Sequence, residues 1–580
     1  MAVAHRVKTP AGPQQSVEPG SVGDLADDRR VERWLLDHSL LLVGLTTLLG
    51  VGLRLVGLSN SSAGDEISTY FIIHGHGLSR VLQLVHSNQE TSPPGYFVAA
   101  WMLNHVVADS ALAARTVSFV AGVALIPLTY VLGVLALRHR LAALLGALLV
   151  ALAPFMIFFS TDGRPFMLVT ALCLTSTIGL VKAVRTNTIG WWILYGVSSA
   201  AAVYTHYTAV FLLGLQIVWA VVFHRRAWKG LLIANAAVVL AYLPWLPGLR
   251  EDLKAPNTLG TLIPFSLSNV EGVTENWWIG HPVIPIGQLP GNLAVGLAVT
   301  GLIVGVLGVL LGGPPVARLR TVTAERLLIP VLAIGPPLLM ALYSSFHTSI
   351  LEGRNFMTSW PALALTMAAV VLLPTLRWAR WLAVGLLLVA YSIGAVTSVL
   401  PVNQRVDIDG AVAYINAHAG RNDPLVNGPG FYNPLSELDV ALSRDGESTY
   451  TPGQEEDRDP TFTSPGHHHV FRLSAPPLSL QLRALAGPNR QPIYQGGEES
   501  GASVAQQVRR LANRVSAGQF VYVGPPLEDA AFFPQSPISQ FLRAIRSSDH
   551  IVHSSGWLGY GGIIPVEVYV FQPTSRANSR

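Results

Sequence analysis

The run SLLLVGLTTLLGVGLRLVGL, residues Ser39–Leu58, decides the fold class, because it is long and apolar enough to cross a bilayer. The short polar segment SNSSAGDE follows it and ends on Asp65 and Glu66. The Arg-rich stretch before the run, which ends at Arg33, predicts a cytoplasmic amino terminus. A carboxylate pair just beyond the far end of this span then lies outside the cytoplasm, where it indicates chemistry rather than packing.

The composition places most of the chain in lipid. Of 580 residues, 50% are hydrophobic and 12% are charged, which is too apolar for one soluble core. The 38 basic and 34 acidic residues leave a mild excess that anchoring of cytoplasmic loops explains, so no nucleic-acid partner is predicted. The single cysteine, Cys173, stands in an apolar segment, which excludes a disulfide framework and a thiolate metal site.

Apolar runs of span length predict about eleven transmembrane helices. They cover residues 37–58, 113–137, 141–159, 166–184, 189–204, 207–223, 230–249, 291–312, 327–346, 357–375 and 381–400. Short basic connections follow at alternate ends of consecutive spans: 138–140, 182–185, 225–229, 318–326 and 377–380. This positive-inside pattern puts the carboxyl terminus outside as well. The run Gly95–Val107 would break the alternation as a span, so it is interpreted as an interfacial or re-entrant helix.

The predicted fold class is a polytopic α-helical membrane protein with a carboxyl-terminal extracytoplasmic α/β domain. Residues 1–36 are predicted to form a disordered cytoplasmic tail, 37–400 the transmembrane domain and 401–580 the soluble domain. Residues 59–111 form the first external loop and 250–290 a long external loop. In the soluble domain, helices are predicted at 411–419, 504–515 and 538–547, and strands at 520–523 and 566–571.

Polar residues collect at the external ends of the predicted spans. They are Asp65, Glu66, Glu90, Asp162, Arg164, His206, Tyr207, Glu271, Glu275, His281, His347, Glu352 and Arg354. Several also have an ordinary interpretation: Asp65 as a helix cap, Glu90 as part of a turn, Asp162 with Arg164 as a loop ion pair, and Arg354 as an interfacial anchor. Together they predict one outward-facing site.

Five motifs carry a resemblance to a known family. They are Asp65-Glu66, Ser92-Pro93-Pro94, the stretch 159–166 (FSTDGRPF), the stretch 204–207 (YTHY), and Arg354-Asn355-Phe356 running on to Trp360-Pro361. Over residues 37–400 the chain resembles the bacterial membrane glycosyltransferases of the type C superfamily. It is most similar to the family 39 group, which includes protein mannosyltransferase-like enzymes and the lipid A aminoarabinose transferase.

Three departures from that group stand out. Many relatives have a carboxylate and Ala before the Arg of the second external loop, where this chain has Asp162-Gly163-Arg164. The late motif of the relatives is Arg-Tyr, whereas Asn355 follows Arg354 here. Ser92 stands where many relatives carry His, so no metal or phosphate contact is carried over to it.

The resemblance implies inverting transfer of a sugar from a polyprenyl-phosphate donor in a multi-pass plasma-membrane enzyme. Asp65 is then the general base, and Glu66 orients the acceptor or assists Asp65. Arg354 is the first candidate for binding the donor phosphate and Arg164 the second. The candidates for substrate binding are Asp162, which alternatively holds Arg164, together with Glu90, His206 and Tyr207.

The partners implied are the lipid-linked donor, membrane lipids and an acceptor that is an envelope glycan, a lipid or a protein. No cofactor is firmly predicted, and a divalent cation between carboxylate and phosphate stays open because no ligand spacing is diagnostic. Two other functions stay open as well. One is a transporter or flippase for a lipid-linked glycan, and the other is an inactive scaffold for envelope assembly.

Overall fold

The structure is a computed structural model. It describes residues 33–62, 65–86, 90–254, 263–311, 323–374, 376–420, 423, 425–427, 470–472, 518–524, 543, 545, 549–562 and 564–573.

Helices dominate the described part up to residue 400. In chain order they are α1 Ser39–Leu58, α2 Glu66–Ile73, α3 Leu78–His86, α4 Gly95–Asn104, α5 Ser110–Leu137, α6 Arg140–Leu152, α7 Pro154–Phe159, α8 Phe166–Thr186, α9 Ile189–Thr205, α10 Ala209–Phe223, α11 Trp228–Tyr242, α12 Leu246–Asp252, α13 Leu267–Trp278, α14 Asn292–Leu311, α15 Ala324–Phe346, α16 Trp360–Leu372 and α17 Arg377–Ser398. One 3-10 segment matters for the site, Gly353–Ser359, which leads into α16.

Eight helical stretches in the described residues are long and apolar enough to cross a membrane. They coincide with eight of the eleven predicted spans, and the shorter helices α6, α9 and α10 stand at the other three positions. The prediction of a multi-pass helical membrane protein is therefore confirmed. Large apolar side chains remain exposed on α1 and α14, for example Leu40, Leu48, Leu293 and Leu311, as expected of helices that face lipid.

The helices α5, α6 and α16 form the centre of the bundle. Small residues allow this close packing: a Cβ added at Gly133 or at Gly146 would lie 2.7 Å from Leu365 of α16. Small residues at helix contacts are common in membrane bundles because they let the backbones approach. The bundle is thus a close-packed frame that holds the loops at its ends.

Three helices, α2, α3 and α4, fold the loop between α1 and α5 over one end of the bundle. The interfacial helix predicted at Gly95–Val107 is present as α4, which has ten residues and is too short to cross a membrane. The Tyr96 hydroxyl of α4 donates a hydrogen bond to the Ala114 carbonyl of α5 over 2.8 Å. This loop is therefore packed against the bundle.

The described part of the carboxyl-terminal region is a small α/β unit. Helix α18, Ile408–His418, packs against a sheet of β1 Leu425–Asn427, β2 Val470–Arg472, β3 Phe520–Gly524, β4 Asp549–Gly559 and β5 Ile564–Pro573. The strand order is β2-β1-β3-β5-β4. β1 is parallel to β2 and β3, whereas β5 is antiparallel to β3 and β4. The α/β class is confirmed; the helices predicted at 504–515 and 538–547 fall mostly outside the described residues.

Candidate active site

Six segments that are distant in sequence meet at one end of the bundle, which is called the site end. They are the chain before α2, the chain before α4, the α7–α8 connection, the α9–α10 connection, the segment before α16 and the chain after α17. The structure brings Asp65, Glu66, Glu90, Asp162, Arg164 and Arg354 together there in three neighbouring groups of ion pairs, which together are called the network. Two arginines that the sequence did not single out, Arg115 and Arg405, complete it.

Asp65 is the most exposed acid of this network. It stands at the N-cap position of α2, yet its side chain caps no backbone N–H. Instead, its carboxylate forms an ion pair with Arg354, and the two side chains are 41% and 27% exposed. Burial raises the pKa of Asp65, but Arg354 and Arg164 outweigh it and hold that pKa below its ordinary value. Asp65 is therefore an ionised carboxylate that solvent can reach.

The Arg354 guanidinium lies between two acids. It pairs with Asp65 through one nitrogen and with Glu352 through another. Its carbon lies 5.7 Å from the ring centre of Phe166, a cation–π distance that fixes the plane of the group. Where relatives carry Tyr after this arginine, the Asn355 amide turns inward and donates to the Ile350 carbonyl over 2.8 Å.

Glu66 is buried and fully engaged. Arg115 donates to both of its oxygens, with Nε–Oε2 at 3.0 Å, and Arg405 donates to Oε1 over 2.5 Å. The Gly163 backbone N–H donates to Oε2 over 3.0 Å. Although burial raises the pKa of Glu66, Arg115 and Arg405 lower it to about 2. These contacts fit a residue that holds the loop in place.

Arg405 enters the network from the chain that follows α17. It bridges Glu66 and Asp162, with Nη2–Oδ1 of Asp162 at 3.0 Å, and its side chain is 3% exposed. Among the described residues, Asp162 has no second arginine partner in a side-chain ion pair. Burial raises the pKa of Asp162 to about 6, Arg405 opposes this rise, and the neighbouring Glu66 carboxylate adds to it. The side-chain ion pair of Asp162 with Arg164, which their spacing allowed, is not formed.

Arg164 pairs with Glu90 instead. The contact is bidentate, with Nη1–Oε2 at 2.6 Å and Nη2–Oε1 at 2.9 Å. The Ser68 and Ser92 hydroxyls lie 3.4 Å from the same carboxylate. A two-bond fork of this kind fixes both partners, so it ties the chain before α4 to the α7–α8 connection.

His206 and Tyr207 stand at the rim of the network. The His206 ring lies 5.3 Å from that of Phe166, and burial together with Arg164 and Arg354 lowers the pKa of His206 to about 3, so the ring is neutral. The Tyr207 hydroxyl donates to Asp252 and accepts from the Trp245 indole over 3.2 Å. His206 thus borders the Arg354 side of the site, whereas Tyr207 belongs to an adjoining polar cluster.

Arg115 had a signal in the sequence, because it is a charged residue inside a predicted span. It binds the Leu58 and Ser61 carbonyls, at 3.1 and 2.9 Å, as well as Glu66, and so sets the path of the chain leaving α1. Arg405 had no such signal, since a lone arginine after the last span also fits a solvated linker.

The described residues hold no group of three His, Cys, Asp or Glu side chains placed to bind a metal ion. Glu66, Glu90 and Asp162 already use oxygens on arginines. The acids present therefore do not form a ready set of metal ligands, and no step proposed for this site uses a metal.

The opposite end of the bundle carries the basic connections. Arg185 forms an ion pair with Glu325 at 3.0 Å, and Arg326 donates to the Leu137 carbonyl over 3.3 Å. These contacts join two of the predicted basic loops, 182–185 and 318–326, to each other and to the carboxyl end of α5. The two ends are thus chemically distinct, one rich in acids and the other in exposed bases.

Residues 91–249 match the family model described as dolichyl-phosphate-mannose-protein mannosyltransferase. This segment includes the Ser92-Pro93-Pro94 motif, Asp162 with Arg164, and His206 with Tyr207. The predicted family resemblance is confirmed. The group is one of membrane glycosyltransferases. A comparison with curated proteins found no significant match.

The chain is also similar to solved structures of two proteins, ArnT and the oligosaccharyltransferase AglB. ArnT from Cupriavidus metallidurans in the apo state has 12% identity and a TM-score of 0.49, covering 93% of this chain and 98% of that one. Its complex with undecaprenyl phosphate has 11% identity and a TM-score of 0.47, covering 92% and 97%. The oligosaccharyltransferase AglB from Archaeoglobus fulgidus, bound to an inhibitory peptide and a dolichol-phosphate, has 13% identity and a TM-score of 0.46, covering 88% and 72%.

Proposed function

We propose that this chain transfers a sugar from a polyprenyl-phosphate donor to an acceptor hydroxyl outside the cytoplasm. The observation that carries the proposal is the contact of Asp65 with Arg354. It places a reachable carboxylate base beside a reachable guanidinium, in a network that otherwise is buried. The family match over residues 91–249 supports the reaction class and the lipid-phosphate donor.

The reaction needs one base and one anion-binding group. Asp65 accepts the proton of the acceptor hydroxyl as its oxygen forms a bond to the anomeric carbon of the sugar. The bond from that carbon to the phosphate oxygen breaks, and the electron pair leaves with polyprenyl phosphate. Arg354 stabilises this phosphate through its fork of N–H donors, so no general acid is required. A single displacement of this kind inverts the anomeric centre.

The Asp65–Arg354 pair also sets the order of events. While Arg354 holds Asp65, the carboxylate is a weaker base than a free aspartate, because its pKa is lowered. A donor phosphate that binds Arg354 competes for the same guanidinium and releases Asp65. The base then reaches full strength when the donor is present, which disfavours proton transfer in its absence.

The remaining predicted residues have supporting roles in this proposal. Glu66 positions the loop that carries Asp65, because its oxygens are engaged by Arg115 and Arg405. The Glu90–Arg164 fork holds the neighbouring loops, and Arg164 adds positive charge near the phosphate. Asp162, His206 and Tyr207 remain candidates for contact with the sugar or the acceptor.

The test uses the purified full-length protein in liposomes with radiolabelled polyprenyl-phosphate sugars and envelope extracts as acceptor. We expect Asp65→Asn to lower transfer about 10²–10⁴-fold, the usual contribution of a general base, with donor binding retained. The matched control is Asp37→Asn, which makes the same change at an exposed position before α1 and should leave transfer unchanged.

Full activity in Asp65→Asn would remove Asp65 as the base. Movement of intact labelled lipid across the liposome bilayer, without any labelled product, would instead favour the flippase. If the folded wild-type protein, supplied with every donor, neither transfers sugar nor moves the lipid, that result would favour the scaffold.

A further inference from the structure

Arg405 stands at the root of the carboxyl-terminal domain, and we propose that it is a positioning residue for the base Asp65. This inference rests on the proposed function. Arg405 is seven residues beyond the end of α17 and three before the start of α18, yet its guanidinium is buried among the acids of the site. The carboxyl-terminal domain thereby becomes part of the active site.

Arg405 connects two loops through two acids. One nitrogen donates to Glu66, the neighbour of Asp65 in the chain, and another donates to Asp162 of the α7–α8 connection. The Phe158 ring lies 5.4 Å from the guanidinium carbon and restricts its orientation. A planar fork with several donors spans two separate carboxylates in a way that a lysine ammonium does not.

The residues around Arg405 are joined to the first loop as well. The Asn60 amide donates to the Gln404 side chain over 2.7 Å, and the Ser61 hydroxyl donates to Asp409 over 2.8 Å. The Tyr560 backbone N–H at the end of β4 donates to the Gln404 carbonyl over 2.8 Å. Residues 404–409, here called the domain root, therefore hold the segment between α1 and α2 through several contacts. Of the three that make these contacts, Gln404, Arg405 and Asp409, only Arg405 is buried.

Electrostatics explains why Arg405 matters more than these single hydrogen bonds. Glu66 keeps Arg115 if Arg405 is lost, but Asp162 then loses the ion pair that the structure describes for it, keeps only the more distant charge of Arg164, and lies close to a second carboxylate. A buried carboxylate without a partner is unfavourable, so the two acids move apart or Asp162 takes a proton. Either response shifts Glu66, and with it Asp65, which displaces the base relative to the donor.

The experiment compares Arg405→Gln, Arg405→Lys and the control Ser61→Ala in the full-length protein. Ser61→Ala also removes a contact of the domain root, but it leaves the buried ion pairs intact. With a polyprenyl-phosphate sugar as probe, we expect Arg405→Gln to lower kcat about 100-fold, as a misplaced catalytic group does, with the donor KM changed less than about threefold. Arg405→Lys should recover only part of the loss, and Ser61→Ala should match the wild type.

Hydrogen exchange provides a readout that needs no activity. In Arg405→Gln the amides of α2 should lose protection, whereas in Ser61→Ala they should not. If α2 loses protection in Arg405→Gln but the wild-type protein transfers no sugar, the proposed function is wrong, whereas the structural coupling of Arg405 to α2 stands. If Arg405→Gln has the same α2 protection and the same kcat as the wild type, the proposed role of Arg405 is overturned and the function still stands.

Folding failure is covered by a further variant. If Arg405→Gln does not accumulate, the double variant Arg405→Gln with Asp162→Asn removes the unpaired carboxylate and should restore folding, while its kcat stays well below that of Asp162→Asn alone. Recovery of both folding and full kcat in the double variant would show that Arg405 acts only on stability. Failure of all three variants, Arg405→Gln, Arg405→Lys and the double variant, to fold would lead to the same conclusion.

Discussion

Asp65 and Arg354 show, at the scale of single residues, how one ion pair serves two tasks. The pair keeps both side chains oriented in the absence of substrate, and each member has its own partner in the proposed reaction. Ion pairs with this much exposure contribute little to stability, so the contact is more plausible as a positioning device than as a structural one. Its effect should therefore be visible in kinetics and in pH dependence.

The pH dependence of Arg354→Gln tests this pair. Arg354 holds the pKa of Asp65 down, so in the wild type Asp65 stays ionised to a pH below its ordinary range. Without Arg354 that pKa rises, and the acidic limb of kcat/KM moves to higher pH. Arg164 still lowers the pKa of Asp65, and the nearby Glu352 carboxylate opposes this lowering. The acidic limb therefore moves but does not disappear. The donor KM should rise at least about tenfold, in line with the loss of a charge-assisted contact.

The control for this measurement is Arg140→Gln, which removes an exposed guanidinium at the opposite end of the bundle. Its acidic limb should coincide with that of the wild type. An acidic limb that stays in place in Arg354→Gln would mean that Asp65 is not the group whose ionisation the profile reports.

Close contact between short helices sets the site at the scale of secondary-structure elements. Helix α4 follows Glu90 after four residues, and its first residue, Gly95, lies against the carboxyl end of α9. A Cβ added at Gly95 would stand 2.6 Å from the Tyr204 carbonyl oxygen, a backbone atom that cannot rotate away. This contact fixes the distance between Glu90 and the α9–α10 connection that carries His206.

We expect Gly95→Ala to destabilise the protein by about 1–3 kcal/mol, because overpacking against backbone forces the two helices apart. The midpoint of thermal unfolding in detergent should fall, and sugar transfer should fall with it as the Glu90–Arg164 fork is disturbed. Gly214→Ala in α10 is the matched control, since a Cβ there meets nothing within 4 Å. Equal unfolding midpoints for the two variants would contradict the close contact.

The whole molecule separates its charges between the two ends of the bundle. The site end holds the acid-rich network, and the opposite end holds the basic connections. The positive-inside rule then predicts that the site end faces away from the cytoplasm. This orientation is a requirement of the proposed reaction and can be measured directly.

Cysteine labelling in intact cells tests the orientation. Cys173 is buried, and replacing it gives a background with no cysteine. Ser268→Cys in α13 at the site end should react with a membrane-impermeant maleimide, whereas Arg140→Cys should react only after the cells are opened; both positions are exposed. The reverse labelling pattern would place the site in the cytoplasm and end the proposal of a lipid-linked donor.

The sequence by itself determined the helical class, the positions of the spans and the ends at which acids and bases collect. Those features depend on local composition: about twenty apolar residues span a bilayer whatever their neighbours are, and loops on the cytoplasmic side carry an excess of lysine and arginine. The motif order over residues 37–400 also predicted the family group, which the match over residues 91–249 confirmed. The roles of the site residues stay predictions.

Only the tertiary structure decided which acid meets which arginine. The nearest partner in sequence was wrong for Asp162, which pairs with Arg405 across 243 positions, while Arg164 pairs with Glu90 across 74. The tertiary structure also places Arg115 in the site, together with Arg405 from the domain root. Such pairs depend on how whole helices pack and on the cost of leaving a buried charge unpaired, and neither is written in the spacing of residues along the chain.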